Sequence, residues 1–196
     1  MRSLVVVLFL LAVAVAGASG FTADFDERVM QEVAAALGPA GLAPLHWSNG
    51  TSPCDFLAGV TCDTNSRVVA VSAPGAGFNG TLPREVRKLP TLQYLDVRDN
   101  KINGPVPVAP FPELRRLHID NNNFSSFPPG FLFFFPALEV LTMNNNSQSE
   151  PWMLRGAASR LPNLRVLQAS NASITGTLSL SVFKKAVEKS ERRSTA

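Results

Sequence analysis

The chain has 196 residues, of which 45% are apolar and 17% charged, and it contains 15 prolines and 13 glycines. This length predicts one domain with terminal segments, and the proline and glycine content favours short strands joined by turns. The formal net charge of +3 lies in residues 184–196, so the charge balance gives no reason to predict a nucleic-acid partner.

Residues 1–20 have the layout of a secretory signal peptide. Arg2 precedes an apolar run from Leu4 to Ala16, and small residues follow at positions 17–20. A signal anchor is the alternative, but the apolar run is shorter than the roughly 20 residues that a membrane span needs. The pattern therefore predicts a secreted, extracellular chain without a membrane span.

Residues 21–66 are predicted to form an N-terminal cap that begins with a helix. Asp24 with Glu27 matches a capping box at a helix start, and Gly38 with Pro39 ends the helix. The apolar side of this helix is predicted to consist of Phe25, Val29, Val33 and Leu37. Such a helix can cover a core layer that would otherwise face water.

Cysteines and glycosylation sequons both fit an oxidising, secretory compartment. Cys54 and Cys62 are the two cysteines of the chain, and in a secreted protein a disulfide is the simplest interpretation, with two buried free thiols as the alternative. Acceptor sites of the N-x-S/T type occur at Asn49, Asn79, Asn123, Asn145 and Asn171. We expect glycan on at least two of them.

A spacing recurs through residues 67–183. In the clearest copies apolar residues fall at offsets 0, 3, 5 and 10 with asparagine at offset 8, and successive copies begin 22 to 26 residues apart. The copies begin at Val68, Leu92, Leu114, Leu138 and Leu164. This spacing predicts an α/β solenoid of about five leucine-rich repeats, each a short strand plus a returning turn, behind a helical, disulfide-bearing cap.

Each repeat asparagine lies where the chain turns away from the strand. We expect the amide of Asn122, and its equivalents in other repeats, to satisfy backbone groups buried in the stack. Asn121 lies one position off this frame, and the frame predicts that it tolerates alanine.

The side chains between the core positions of each strand are predicted to form rows on a concave face, with neighbouring strands about 4.8 Å apart. In the second and third repeats this places Arg98 beside Asp120, with Tyr94 beside Arg116 and Asp96 beside His118. The predicted partner-binding residues are Tyr94, Asp96, Arg98, Arg116, His118 and Asp120. Polar and aromatic residues of this type are enriched at interfaces. The alternative is that these pairs only satisfy one another.

Two patterns suggest other chemistry, and the repeat frame accounts for both. Gly75, Gly77 and Gly80 spell a dinucleotide-binding fingerprint, but they fall at turn positions of the first repeat. His46 and His118 are the two histidines, too few for a metal set once the cysteines are bonded. We predict no catalytic residue, no metal site and no cofactor.

The chain resembles the extracellular region of plant leucine-rich-repeat receptor-like kinases in its L-H-W, P-C-D-F-L-A-G-V-T-C, N-G-T-L-P and N-G-P-V-P segments. Its N-N-N-F-S-S-F-P-P-G-F-L, L-E-V-L-T-M-N-N-N, E-P-W and S-N-A-S-I-T-G segments are similar to the TMK-like (transmembrane kinase) subgroup. The resemblance covers about residues 24–183. It implies plant-type repeats and a plasma-membrane receptor family linked to auxin signalling, whose ectodomain binds a protein or peptide, such as a co-receptor or an auxin-binding protein.

The chain departs from that family after the repeats. The frame ends near Phe183, a basic tail that we expect to be disordered follows at residues 184–196, and neither an H-R-D nor a D-F-G kinase motif is present. The sequence thus predicts a receptor ectodomain truncated before the membrane span and the kinase, located in the apoplast and not an enzyme. Its uncapped C-terminal end is expected to self-associate. The alternative function is a secreted inhibitor of foreign cell-wall-degrading enzymes.

Overall fold

The computed structural model describes residues 25–38, 52–56, 58–146, 152–153 and 161–175. The predicted signal peptide, Asn49, His46 and the basic tail lie outside the described residues. Among the described residues, no helix is both long enough and apolar enough to cross a membrane.

Helix α1 spans residues 25–37 and covers the first layer of the core. Val29, Val33 and Leu37 are buried as predicted, but Phe25 is 38% exposed, so the predicted apolar face is wrong at its first position. The helix carries a buried carboxylate that the sequence pattern did not reveal. Asp26 accepts hydrogen bonds from the Nε and Nη2 atoms of Arg67, both at 3.0 Å, which ties the cap to the first repeat.

A disulfide joins Cys54 and Cys62, whose Cα atoms are 5.5 Å apart. Cys54 lies in the short helix α2 (Pro53–Phe56), and Cys62 ends strand β1 (Val60–Cys62). Strand β1 pairs antiparallel with the next strand, β2 (Val68–Ser72), and so attaches the cap to the edge of the main sheet.

The described strands that follow are β3 (Tyr94–Asp96), β4 (Asn103–Pro105), β5 (Arg116–His118), β6 (Asn123–Ser126), β7 (Val140–Thr142), β8 (Trp152–Met153), β9 (Val166–Gln168) and β10 (Ile174–Thr175). The main sheet has the order β1-β2-β3-β5-β7-β9, and β2 onward are parallel. Leu95, Leu117, Leu141 and Leu167 are Cα partners across the sheet. The predicted frame and register are therefore confirmed, and the fold is a leucine-rich-repeat solenoid.

The returning segments contribute buried side chains such as Val86, Phe131 and Leu132 to the same core. In these segments strands β4 and β6 pair in parallel, and 3₁₀ helices span Arg84–Lys88 and Phe131–Phe134. Phenylalanines fill the space between the layers: the Phe135 ring stacks on Phe111 with ring centroids 5.1 Å apart, and it lies 4.8 Å from Phe131. These rings give the second and third repeats a large apolar interior.

Buried asparagines connect consecutive repeats, as the frame predicted. Asn122 donates from Nδ2 to the carbonyl oxygen of Val97 in the preceding repeat at 2.9 Å, and its Oδ1 accepts from the backbone N–H of Ile102 at 3.0 Å. Asn100 and Asn146 make the equivalent bonds to the repeats that precede them. Each side chain thus satisfies backbone groups of the neighbouring repeat that the turn leaves unpaired.

A second ladder of side chains runs along the surface one position earlier. Asn121 donates from Nδ2 to Asp99 at 2.5 Å, Asn145 donates to Asn121 at 2.7 Å, and Asn171 donates to Asn145 at 2.9 Å. All four residues have φ between 52° and 58°, a region that residues with a Cβ rarely adopt. The structure does not support the expectation that Asn121 tolerates alanine. That change would delete the hydrogen bonds of Asn121 with Asp99 and Asn145, at a position with a left-handed backbone.

The glycine-rich stretch belongs to the repeat and not to a dinucleotide site. The backbone N–H groups of Asn79 and Gly80 donate to Leu37 at the end of α1. A Cβ on Gly80 would lie 2.0 Å from the carbonyl oxygen of Ala36, so glycine is needed for the close approach of the cap helix. The segment that follows Gly80 bridges to β4 through Thr81, and no helix begins at the glycines.

Candidate partner-binding site

The concave face of the main sheet brings the predicted residues together in the predicted rows. Tyr94 and Arg116 are Cα partners in one row, and Asp96 and His118 are partners in the next. The repeat spacing forces this arrangement, because alternate residues of each short strand point away from the core. The side-chain pairing nevertheless differs from the prediction.

Arg98 pairs with Asp96 and not with Asp120. Its Nε and Nη2 atoms donate to the two carboxylate oxygens of Asp96 at 2.9 and 2.8 Å, and Tyr94 Oη donates to the same group at 3.0 Å. Burial alone raises the pKa of the Asp96 carboxyl, but these hydrogen bonds outweigh it and hold the pKa below its usual range. Asp96 is therefore an ionised anchor that fixes Arg98 and Tyr94.

Asp120 is satisfied by the following repeat. It accepts hydrogen bonds from the hydroxyl of Thr142, from the backbone N–H of Asn144 at 2.9 Å and from Asn144 Nδ2 at 2.5 Å. Only 7% of Asp120 is exposed. Both predicted acidic residues thus organise the surface, and neither presents a free carboxylate to a partner.

His118 lies between these two clusters. Its Nδ1 is 2.9 Å from the hydroxyl oxygen of Thr142, and its ring centroid is 5.6 Å from that of Tyr94. Burial lowers the pKa of His118 below its ordinary value, and the positive charges of Arg98 and Arg116 act in the same direction, whereas Asp96 and Asp120 oppose them. The imidazole is therefore neutral at neutral pH.

A pocket of about 460 Å³ opens on the concave face beside His118. It is lined by Arg98, His118, Asp120, Asn121, Val140, Thr142, Asn144, Asn145, Val166 and Gln168. The pocket is centred one repeat further along the chain than the predicted patch, and Tyr94, Asp96 and Arg116 do not line it.

Val140, Val166 and Gln168 also lie in the rows of this face, but they are not among the residues predicted for partner binding. The prediction was based on side-chain type and favoured charged and aromatic residues, whereas a pocket is defined by the shape of the surface. Val166 is 37% exposed, and Val140 is its partner on the neighbouring strand. Together they form an apolar strip inside an otherwise polar pocket.

The described sequons are accessible. Asn79, Asn123, Asn145 and Asn171 are all exposed, and the amide groups of Asn145 and Asn171 belong to the surface ladder. Within the described part of the chain, no cluster of three metal-ligating side chains occurs.

Comparison with known proteins identifies the family that the chain resembles. A family model described as Leucine rich repeat matches residues 112–174. Receptor-like kinase TMK2 of Arabidopsis thaliana is 28% identical over 154 residues, 78% of this chain and 17% of that protein. Receptor protein kinase WSS1 of Oryza sativa subsp. japonica is 33% identical over 178 residues, 89% of this chain and 19% of that protein. This is a leucine-rich-repeat protein related to plant receptor-like kinases.

The leucine-rich-repeat chain spans less than a fifth of the length of these two relatives. Among solved structures, the BIR3–SERK2 complex from Arabidopsis thaliana contains a similar solenoid, with a TM-score of 0.62 and 20% identity over 74% of this chain and 81% of that chain. At this identity the likeness establishes the leucine-rich-repeat fold alone.

Proposed function

We propose that this chain is an extracellular recognition module of the receptor-like-kinase type that binds a protein or peptide partner on its concave face. The observation that carries the proposal is the pocket beside His118, which lies across β5, β7 and β9 and is lined by polar groups around an apolar strip. Side chains such as Asp96 and Asp120 already hold their neighbours in place, so little ordering is needed on binding.

The disulfide and the relatives support the location and the class of partner. A disulfide persists in oxidising compartments, in agreement with the predicted secretory leader. The solenoid of the BIR3–SERK2 structure belongs to a protein complex, so this fold suits recognition of another protein. The whole-protein activities of TMK2 and WSS1 are not carried over, and we propose a binding role without enzymatic activity.

The finer parts of the proposal rest on the resemblance to the TMK-like subgroup. These are a role in auxin-linked signalling at the plasma membrane, a co-receptor or auxin-binding protein as partner, and N-linked glycan on at least two sequons. No feature of the described residues favours the alternative of a secreted inhibitor of cell-wall-degrading enzymes.

Site-specific photo-crosslinking tests the proposal. A photoreactive phenylalanine analogue replaces Val140 in the pocket or, as a matched control, Val108, which is 49% exposed and lies outside the main sheet. Each secreted protein is mixed with plant extracellular fluid and irradiated. We expect a discrete adduct from position 140, competed by excess wild-type protein but not by a Val140→Asp variant.

Equal adducts from positions 140 and 108, or competition by Val140→Asp as strong as by wild type, would contradict the proposed concave site. An assay of cell-wall-degrading enzymes with the same secreted protein distinguishes the alternative, which requires direct inhibition.

A further inference from the structure

We infer that His118 is a specificity-determining residue of the concave pocket, where its Nε2 atom accepts a hydrogen bond from a peptide segment that packs an aliphatic side chain on Val140 and Val166. This inference rests on the proposed binding of a protein or peptide at the concave face. It adds the chemical character of the bound segment and the protonation state that binding requires.

The hydrogen-bond chain through Thr142 determines which imidazole nitrogen carries the proton. The Thr142 hydroxyl has one proton and donates it to Asp120. The same oxygen lies 2.9 Å from His118 Nδ1 and must therefore accept from it. In the neutral ring Nδ1 thus holds the proton, and Nε2 keeps an unprotonated lone pair.

The Nε2 lone pair is available to a ligand. No described residue makes a hydrogen bond to Nε2, while His118 itself lines the pocket. A lone pair in a partly desolvated site selects an N–H or O–H donor and rejects a second acceptor, because buried unpaired acceptors are costly.

The remaining surface favours an uncharged peptide segment. Asp96 is neutralised by Arg98, and Asp120 and Arg116 add one charge of each sign, so the site has no net charge around the neutral ring. The paired valines offer an apolar strip for an aliphatic side chain. One peptide residue supplies both an N–H donor and such a side chain.

Acidification changes Nε2 from a hydrogen-bond acceptor into a donor without disturbing the hydrogen bonds from Nδ1 to Thr142 and from Thr142 to Asp120. Protonation leaves the Nδ1 bond to Thr142 intact and adds a proton at Nε2, which then opposes a donor on the ligand. The groups facing the ring are Tyr94, Asp96 and Arg98 from the β3 repeat and Arg116 and Asp120 from its own repeat; β7 contributes Thr142 and Asn144, which do not titrate. Because His118 is held neutral by burial and by the two arginines, affinity should fall only on acidification.

Peptide selection at two pH values tests the inference. Random heptapeptides displayed on phage are selected on the disulfide-bonded wild-type chain at about pH 7.5, and their affinities are compared at about pH 5. We expect peptides with an aliphatic residue, which bind more weakly at the lower pH than at the higher and lose binding with Val166→Asp.

Two His118 variants isolate the proposed atom. In His118→Asn the amide nitrogen can still donate to Thr142 but nothing replaces Nε2, so binding should be lost at both pH values. In His118→Gln the side-chain amide reaches the Nε2 position and cannot titrate, so the ratio of affinities at the two pH values should be near one whatever the affinity itself. Nitrogen chemical shifts of the free wild-type protein should show the proton on Nδ1.

The outcomes separate this inference from the proposed function. Selected peptides that depend on Val166 but bind equally at both pH values, or equally to His118→Asn, overturn the role of His118 and leave the concave site standing. A proton on Nε2 in the neutral ring also overturns it. Failure to select any peptide sensitive to Val166→Asp overturns the inference and counts against concave-face peptide recognition as a whole.

Discussion

Single asparagines hold the repeats of this protein in register. Asn122 reaches back to the carbonyl oxygen of Val97 and to the backbone N–H of Ile102, so one side chain satisfies a donor and an acceptor of the repeat before it. Only 3% of Asn122 is exposed, and water cannot take over these bonds. Its contribution therefore includes the cost of leaving the buried N–H of Ile102 unpaired.

Asn122→Ala should lower the free energy of unfolding by about 1–3 kcal/mol, because it leaves the buried N–H of Ile102 without its partner and removes one of the two amide donors to the Val97 carbonyl oxygen. Chemical denaturation followed by circular dichroism measures the loss. Asn65→Ala is the control: Asn65 is exposed in the β1–β2 turn, no described residue hydrogen-bonds its side chain, and the change should cost less than about 0.5 kcal/mol. A loss at Asn122 no larger than the loss at Asn65 would contradict the stabilising role of the buried asparagines.

The two asparagine ladders show how far the sequence alone can be interpreted. The buried ladder could be predicted, because asparagine recurs at one offset among apolar residues and a core polar group needs partners. The surface ladder could not, because its first member is Asp99 and its geometry depends on a left-handed backbone that spacing does not encode. The ion pair between Arg98 and Asp96 was also not predicted, because the side-chain rotamer determines which of several nearby carboxylates an arginine binds.

At the scale of whole elements, the cap helix is docked to the first repeat by its two ends. Near its start, Asp26 binds Arg67 and the backbone N–H of Val68. At its end, the carbonyl oxygen of Leu37 accepts from Gly80 N at 2.9 Å. The helix itself could be predicted from its apolar periodicity, but these contacts join residues more than 40 positions apart and required the structure.

Gly80→Ala should destabilise the protein by about 2–3 kcal/mol, since the new Cβ would meet the Ala36 carbonyl oxygen and push the cap helix away. Gly75→Ala is the matched control: its Cβ meets nothing within 4 Å, and its φ of 64° leaves only backbone strain of about 1 kcal/mol. Thermal unfolding of the two variants measures the difference. A smaller loss at Gly80 than at Gly75 would mean that the helix contact is not tight.

Across the whole molecule, the core is not equally closed from layer to layer. Leu117 and Leu141 of the central strands are at most 2% exposed, whereas Leu167 and Ala169 of the last described repeat are only partly buried. In a solenoid each layer depends chiefly on its immediate neighbours. Opening should therefore begin at β9 and reach β3 and β5 last.

Hydrogen–deuterium exchange read by mass spectrometry tests this order. We expect the amides of β3 and β5 to be protected longest and those of β9 to exchange at least about tenfold faster, because partly exposed layers open at lower free energy. Protection in β9 equal to that in β5, in a monomer, would contradict the order and would also count against the expected self-association of the C-terminal end.

The hydrogen bonds that join consecutive repeats are equivalent, and this equivalence affects how the gene can change by recombination. Asn122 relates to Val97 and Ile102 as Asn146 relates to Ile119 and Phe124, so these four bonds cross the boundary between repeats at corresponding positions. Unequal recombination that copies or deletes one complete repeat would recreate the same joint on both sides. A gene of this kind can lengthen or shorten its binding surface in one step, whereas an exchange offset by part of a repeat would break both ladders at once.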